Sequence, residues 1–136
     1  MDFVSIRIIT ADVDRLVAFY ERATGARAWR PTPDFAELRT PHATLAIGGT
    51  ATVPLFAPGS AVPGENRSVI VEFLVDDVDQ AHQRLSAPEP GVAIDFVSGP
   101  TTMPWGNRSL LFRDPDGNLV NFFTPVTPEA VAKFSR

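Results

Sequence analysis

Hydrophobic and polar positions along the first third of the chain predict one strand, one helix and three short strands. Residues 3–10 alternate between apolar and polar side chains, which is typical of a half-buried strand. Asp12 then fits the N-cap of a helix, whose apolar positions recur at helical spacing until Gly25. Three short strands separated by prolines and glycines follow, near residues 27–30, 35–39 and 43–48.

The same pattern restarts at residue 67. Residues 67–75 alternate as a strand, and Asp77 fits the N-cap of a second helix. Three more strands are predicted, at about 92–97, 108–113 and 118–124. Asp12 and Asp77 lie 65 residues apart in the similar segments TADVDR and VDDVDQ. The repeat predicts two βαβββ modules whose sheets together enclose a concave face, because neither module can cover its sheet alone.

Turn and linker signals in the sequence define the boundaries of the two modules. Asp114-Pro115-Asp116-Gly117 predicts a tight hairpin turn, since proline presets φ at the second position and glycine accepts a positive φ. Thr127 followed by Pro128 is a good start for a short helix. We therefore predict module one over about 1–49, a Pro/Gly-rich linker over about 50–66, module two over about 67–125 and a C-terminal helix over about 127–134.

Composition narrows the class of protein. With 136 residues, 44% of them hydrophobic, the chain suits one compact domain. Twelve basic and sixteen acidic residues give a net charge of −4 without a basic stripe, so we expect no nucleic-acid partner. The absence of cysteine excludes disulfides, thiolate metal ligands and a cysteine nucleophile, and fits a cytoplasmic protein. No apolar stretch approaches the roughly 20 residues of a membrane span, so we expect no membrane association.

Taken together, these features resemble the vicinal oxygen chelate superfamily of glyoxalase I, extradiol dioxygenases and bleomycin-binding resistance proteins. The resemblance covers nearly all of residues 3–125 and rests on the repeated Asp-Val-Asp helix start, AFYERATG at 18–25 and FRDPDGNLV at 112–120. It implies an α+β fold of two tandem βαβββ modules that form a cupped mixed sheet, the glyoxalase/bleomycin-resistance fold. It also implies a homodimer.

The resemblance also implies where a divalent metal would bind. Family enzymes place one ligand seven residues before the aspartate of each helix, and a carboxylate four residues after the glycine of the hairpin turn. These positions hold Ser5, Ile70 and Asn121, and the fourth position lies near Ala46. None of them is an imidazole or a carboxylate, the side chains that bind such ions well. We therefore expect no metal, no other cofactor and no conventional catalytic residue, and we favour a protein that is not an enzyme.

A polar and aromatic set remains to line the cup. The candidate ligand-binding residues are Ser5, Arg7, Ile70, Glu72, Trp105, Asn121 and Phe123. Arg7 and Glu72 are repeat equivalents, which predicts either a mutual ion pair or anchors for a charged ligand group. Trp105 lies in a P-W-G segment like that of drug-binding members, and predicts either a stacking plate for a planar ligand or a lid on the core. Trp29 fits an edge-strand or dimer-interface aromatic, and less well a ligand contact.

Three functions stay open. The favoured hypothesis is a metal-independent binding protein for an aromatic or hydrophobic small molecule, with antibiotic resistance as a role. A second is a metal-dependent lyase or dioxygenase with an atypical site containing His42 and Glu72. The third is a non-catalytic accessory dimer without a specific drug ligand. Otherwise, His42 is expected in a surface turn, and His82 is expected partly buried at a sheet edge.

Overall fold

Two compact units make up the chain in the computed structural model, which describes residues 1–135. Unit 1 comprises Met1–Arg67 together with the turn residues Pro115–Gly117, and unit 2 comprises Ser68–Asp114 and the chain from Asn118 onward. Each unit contains one four-stranded mixed sheet. The predicted α+β class is therefore confirmed.

Unit 1 is a βαβββ module followed by two short helices. Its elements are β1 (Ser5–Thr10), α1 (Val13–Thr24), β2 (Trp29–Thr32), β3 (Phe35–Arg39), β4 (Thr44–Gly49), a 3₁₀ turn (Thr50–Thr52) and α2 (Val53–Phe56). The strand order is β1-β4-β3-β2, with β1 parallel to β4 and the other pairs antiparallel. This order leaves β2 at one edge of the sheet.

Helix α1 forms where the sequence predicts it, because both of its ends are capped. The side chain of Asp12 accepts a hydrogen bond from the backbone N–H of Arg15 at 3.0 Å. Gly25 ends the helix with φ of 73°, a left-handed conformation that glycine adopts without steric cost. The apolar side of α1, which includes the fully buried Leu16 and Tyr20, packs on β3 and β4.

The start of the predicted linker differs from the expectation. Residues 50–56 form the 3₁₀ turn and α2, and Thr52 and Val53 are buried. Thr52 Oγ1 donates to the carbonyl of Gly49 at 2.7 Å and folds the chain back onto the end of β4. The sequence does not reveal these helices because each is only about one turn long, too short for a hydrophobic period.

Unit 2 repeats the module of unit 1. Its elements are β5 (Ile70–Leu74), α3 (Val78–Ser86), β6 (Asp95–Thr102), β7 (Asn107–Arg113), β8 (Leu119–Pro125) and α4 (Pro128–Phe134). The strand order β5-β8-β7-β6, with β5 parallel to β8, matches that of unit 1 element by element. The predicted duplication of the βαβββ pattern is thus confirmed, and Asp77 caps α3 as Asp12 caps α1.

Strand β6 extends well beyond the prediction. The sequence predicts that this strand ends at about residue 97, but the strand continues through Gly99 and Pro100 to Thr102. β6 is the edge of its sheet, and its pairing with β7 shifts register on both sides of Ser98. An edge strand with bulges tolerates proline because the missing N–H is not needed for a continuous ladder.

The β7–β8 hairpin forms as predicted. Asp114, only 4% exposed, accepts hydrogen bonds from the backbone N–H of Asn118 at 2.9 Å and from its Nδ2 at 2.8 Å. Gly117 adopts φ of 86°. These contacts fix the register of β8 against β7 and so the face on which each β8 side chain lies.

Aromatic rings on the back of the second sheet, the face toward α3, form the core of unit 2. The rings of Phe112 and Phe122 meet edge to face with centroids 5.0 Å apart, a favourable geometry for aromatic pairs. His82 of α3 packs edge to face on Phe96 of β6 with centroids 5.0 Å apart. Because β6 is the edge strand, the prediction of a partly buried histidine at a sheet edge is confirmed.

Candidate functional site

The front face of unit 1, which we define as the sheet face opposite α1, carries the odd-numbered residues of β1. The strand register sets Ser5 opposite Thr44 and Arg7 opposite Ala46. The neighbouring β3 sets Glu37 opposite the same Ala46. The predicted cup residues Ser5 and Arg7 thus share this face, and both are exposed.

Arg7 lies between two aromatic rings on this face. Its guanidinium carbon is 4.8 Å from the ring centroid of Phe35 and 5.1 Å from that of Phe56. Such stacking is worth about 0.5–1 kcal/mol per contact at an exposed site. Phe56, at the end of α2, remains 70% exposed. These two ring contacts hold the guanidinium group of Arg7 in place, and neither of them involves a carboxylate.

A second cation–aromatic pair extends the pattern toward the sheet edge. The guanidinium carbon of Arg39 lies 4.2 Å from the centroid of the half-exposed Trp29, and its Nε donates to Glu37 Oε2 at 2.7 Å. Trp29 also meets Phe35 edge to face at 6.5 Å. We call Arg7, Trp29, Phe35, Arg39 and Phe56 the cation–aromatic layer.

Sequence reasoning missed most of this layer. Phe35 and Arg39 are four residues apart in β3 and therefore lie on the same side of the sheet. Counting every second residue detects this arrangement once the strand is assigned. Phe56 gave no such signal, because its position over Arg7 depends on the fold of the segment after β4.

The front face of unit 2, defined as the sheet face opposite α3, places a carboxylate between two apolar side chains. Ile70, Glu72 and Leu74 alternate along β5 on this face, and all three are exposed. Glu72 lies opposite Asn121 of β8, and Leu74 lies opposite Phe123. Four of the predicted cup residues, Ile70, Glu72, Asn121 and Phe123, are thus brought together on one face.

Glu72 and Asn121 form a directed hydrogen bond. Nδ2 of Asn121 donates to Oε2 of Glu72 at 2.8 Å. Asn121 is only 8% exposed, and its Oδ1 is buried without a hydrogen-bond partner among residues 1–135. The amide orientation follows from the carboxylate, because a carboxylate only accepts hydrogen bonds. The pair therefore uses one amide N–H internally and retains Oδ1 of Asn121 as an acceptor without a partner.

The two aromatic candidates of unit 2 lie in different environments. Phe123 is 7% exposed, with its ring 5.1 Å from that of Phe134 in α4, so this end of the front face is covered. Trp105 is 67% exposed in the tight turn between β6 and β7, which is closed by a hydrogen bond from Gly106 N to Met103 O at 2.9 Å. The structure thus positions Trp105 as an exposed hairpin-tip side chain.

The charged groups near the start of α3 form a separate pair. Arg108 Nε and Nη2 donate to the two carboxylate oxygens of Asp79 at 2.9 and 3.0 Å. These hydrogen bonds lower the pKa of Asp79 and raise the pKa of Arg108. Asp79 is in the first turn of α3, where a negative charge also favours the helix N-terminus.

The residues at the expected metal positions do not fit a divalent ion. Arg7 faces Ala46 and its repeat equivalent Glu72 faces Asn121, so Ala46 and Asn121 are equivalent positions of the two modules. With Ser5 and Ile70, the four positions offer one hydroxyl, one amide and two apolar side chains. Within residues 1–135, no cluster of three or more His, Cys, Asp or Glu side chains could hold a metal.

Two further expectations concern His42 and the Arg7–Glu72 ion pair. His42 is exposed in the β3–β4 turn, which Thr40 closes by hydrogen bonds with Ala43, as predicted for a surface turn residue. Arg7 and Glu72 belong to different units, so their mutual ion pair stays a prediction.

Comparison with known proteins supports the same family. A family model described as the Glyoxalase/Bleomycin resistance protein/Dioxygenase superfamily matches residues 2–122. The chain belongs to this superfamily. No curated protein sequence matches the chain. In the part of the chain that the structure describes, no helix has the length and apolar character needed to cross a membrane.

Solved structures share the superfamily fold over nearly the whole chain. One, described as a conserved domain protein, is 28% identical, with 92% of this chain and 99% of that chain covered and a TM-score of 0.70. A glyoxalase/bleomycin resistance protein/dioxygenase from Nocardioides is 25% identical, with 92% and 83% covered and a TM-score of 0.70. A family enzyme from Burkholderia phytofirmans PsJN is 19% identical, with 93% and 100% covered and a TM-score of 0.75, a likeness of fold alone.

Proposed function

We propose that this superfamily member binds a planar, apolar small molecule without a catalytic metal. The observation that carries the proposal is the cation–aromatic layer of unit 1, where aromatic rings and guanidinium groups alternate on a sheet face that α1 leaves free. Rigid rings provide a large contact area, and guanidinium groups stack on conjugated systems. This layer suits stacking on a flat ligand better than it suits bond-breaking chemistry.

Two features of unit 2 support the same function. Trp105 offers an exposed indole at the β6–β7 turn. Asn121 lies in the position where family enzymes supply a carboxylate, and its amide nitrogen donates a hydrogen bond to Glu72. Neutral amide and hydroxyl groups are weak ligands for divalent first-row ions, which supports a binding role that needs no metal.

The proposal extends to assembly and role. Large exposed apolar side chains, among them Phe3 and Val97, are the kind of surface that a second copy of the chain can bury. A cytoplasmic homodimer that sequesters an aromatic antibiotic is the role we propose. Sedimentation of the purified protein tests the dimer independently of any ligand.

One observation favours a second candidate, an accessory dimer without a specific ligand. Each front face is partly covered by the short helix that follows its last strand. Thr52 Oγ1 lies 3.0 Å from the position of a Cβ on Gly48 in unit 1, and Phe134 covers Phe123 in unit 2. This candidate predicts that no planar compound binds saturably.

Metal analysis and tryptophan quenching together test the proposal. The protein has two tryptophans, Trp29 in unit 1 and Trp105 in unit 2. Single-tryptophan variants, Trp29→Phe and Trp105→Phe, therefore report on each unit separately when titrated with a panel of planar aromatic antibiotics. We expect saturable quenching that EDTA does not change, in protein that contains no stoichiometric metal.

Two results would contradict this function. Stoichiometric metal that stays bound through purification would favour the metal-dependent alternative. The absence of saturable quenching in both single-tryptophan variants would favour the accessory dimer.

A further inference from the structure

The hydrogen-bonding state of the Glu72–Asn121 pair limits which ligand groups it can accept. The amide of asparagine has two N–H donors and an acceptor oxygen, and an ionised carboxylate has acceptors only. Here Asn121 directs its nitrogen at Glu72 Oε2 at 2.8 Å, while its oxygen has no partner among residues 1–135. A ligand at this pair thus meets the acceptor oxygens of Glu72 and Asn121, and one amide N–H of Asn121 is already used.

The unpartnered oxygen is an unusual feature for a buried side chain. Asn121 is 8% exposed, and leaving a buried acceptor unsatisfied costs about 1–3 kcal/mol. Native proteins satisfy nearly all such groups, so each exception points to a missing partner. A donor that reaches Oδ1 would recover this cost, and the Glu72 side chain beside it is exposed to solvent.

The surroundings add an apolar component. Ile70 and Leu74 flank Glu72 along β5, and both are about half exposed. A group bound at Glu72 therefore has hydrocarbon on two sides. Reduced exposure to water strengthens the attraction between a carboxylate and a cation.

From this arrangement we infer that the front face of unit 2 recognises a primary ammonium group attached to an apolar body. Glu72 provides the countercharge, Asn121 Oδ1 accepts a second N–H, and Ile70 and Leu74 contact the hydrocarbon. This inference rests on the proposed small-molecule binding function and specifies its ligand class. It disfavours anionic head groups at this face, because the carboxylate of Glu72 repels them and the Asn121 amide already directs one of its two N–H groups at that carboxylate.

Three matched probes test the inference by calorimetry with the full chain at neutral pH. The probes are 2-naphthylmethylammonium, 2-naphthylmethanol and 2-naphthoate, which share a ring and differ in charge. We expect the ammonium compound to bind about tenfold or more tighter than the alcohol, since a hydrogen bond to a charged group contributes about that factor. The carboxylate is expected to bind more weakly than the alcohol.

Variants of Glu72 and Asn121 test whether the preference for the ammonium compound arises at this pair. Glu72→Gln keeps the length and an acceptor for Asn121 Nδ2 but removes the charge, and we expect it to reduce the ammonium preference to about onefold. Asn121→Leu keeps a branched side chain but removes Oδ1 together with Nδ2, and it is expected to lower the ammonium affinity about threefold to tenfold. Glu65→Gln, in the exposed segment before β5, makes the same change in net charge and is expected to leave the preference intact.

The outcomes separate this inference from the proposed function. If the alcohol binds and the ammonium compound binds no tighter, or if Glu72→Gln keeps the preference, the inference is overturned while small-molecule binding stands. If Glu65→Gln loses as much preference as Glu72→Gln, net charge rather than this site is responsible, and the inference is again overturned. If none of the three probes binds, both proposals fail.

Discussion

Arg7 of unit 1 and Glu72 of unit 2 occupy equivalent positions in two modules with the same strand order, but their side-chain contacts differ. Arg7 faces an alanine across the parallel strand pair and is stacked between two rings. Glu72 faces an asparagine and is hydrogen-bonded to it. The comparison shows that backbone register is shared between the modules while side-chain chemistry has diverged to opposite charge.

The segments after the last strands differ in a related way. Gly48 and Phe123 are equivalent, since they lie opposite Ile9 and Leu74. Glycine leaves space that Thr52 fills in unit 1, whereas the phenylalanine of unit 2 is covered by Phe134 of a longer helix. Because Gly48 is small and Phe123 is large, a different segment of the chain covers the front face in each unit.

The largest expected effect tests the docking of α4, which has no counterpart of equal length in unit 1. A Cβ on Gly106 would overlap Thr127 Oγ1 and lie 3.1 Å from Ala130 Cβ, and Gly106 has φ of 93°. We expect Gly106→Ala to lower the free energy of unfolding by about 3 kcal/mol, from backbone strain and overpacking together. Urea denaturation measures the loss.

A matched glycine separates the two causes. Gly91 has φ of 79° with nothing within 4 Å of a built Cβ, so Gly91→Ala carries the backbone strain alone. We expect it to cost about 1 kcal/mol. Equal losses in the two variants would show that α4 does not constrain Gly106.

The next effect compares the equivalent hairpins of the two units. Asp114 is buried and accepts two hydrogen bonds from Asn118, whereas Thr40 at the β3–β4 turn bonds Ala43 in an exposed position. We expect Asp114→Ala to cost about 2 kcal/mol because it leaves the partly buried donors of Asn118 unpaired, and Thr40→Ala to cost about 0.5–1 kcal/mol. Thermal or urea unfolding of both variants measures the difference, and a larger loss for Thr40→Ala would reverse the comparison.

A smaller effect concerns binding at the cation–aromatic layer. Phe56→Ala removes one of the rings that hold Arg7, and we expect the affinity for 2-naphthylmethanol to fall about twofold to fivefold. The quenching of Trp29 fluorescence in a Trp105→Phe background measures this affinity. Leu55→Ala is the control, since Leu55 is 83% exposed in the same short helix. The same loss in both variants would mean that Phe56 has no particular role.

The smallest effect depends on pH and compares the first turns of the two long helices. Asp79 in α3 pairs with Arg108, and its equivalent Asp14 in α1 lies with Oδ1 2.6 Å from Nη2 of Arg30. Because the pKa of Asp79 is lowered from 3.8 in the folded protein, its stabilising contribution is present above that value. It is lost as the pH falls through the folded pKa.

Denaturation of the wild type and Asp79→Asn across the acidic range should therefore give a small stability difference that disappears at low pH. Titration of the Asp79 carboxyl by NMR provides a direct measurement. Arg108→Lys keeps the charge but loses the bidentate geometry, so it should raise the pKa of Asp79 toward its usual value. An unchanged pKa would show that the hydrogen bonds of Arg108 are not its cause.

Local signals in the sequence were sufficient for much of the fold. The caps Asp12 and Asp77 act through their own helices, and the Asp114–Gly117 turn acts through its own backbone. The extension of β6 through Pro100 could not be read locally, because proline is permitted there only by the position of the strand at the sheet edge.

The candidate site was less predictable, for a physical reason. The repeat places Arg7 and Glu72 at equivalent points, and that much follows from spacing. The contacts of Arg7 with Phe35 and Phe56 depend on pairing between strands distant in sequence. Likewise, the direction in which the Asn121 amide points is set by its partner across the β5–β8 pair, which no local pattern encodes.

The proline-bearing edge strands have a consequence for assembly in a crowded cell. Pro31 in β2 and Pro100 in β6 both lie on outer strands, and both strands shift register against their neighbours. A strand that lacks an N–H and has a kink is a poor template for another extended chain. These two edges therefore resist runaway sheet extension.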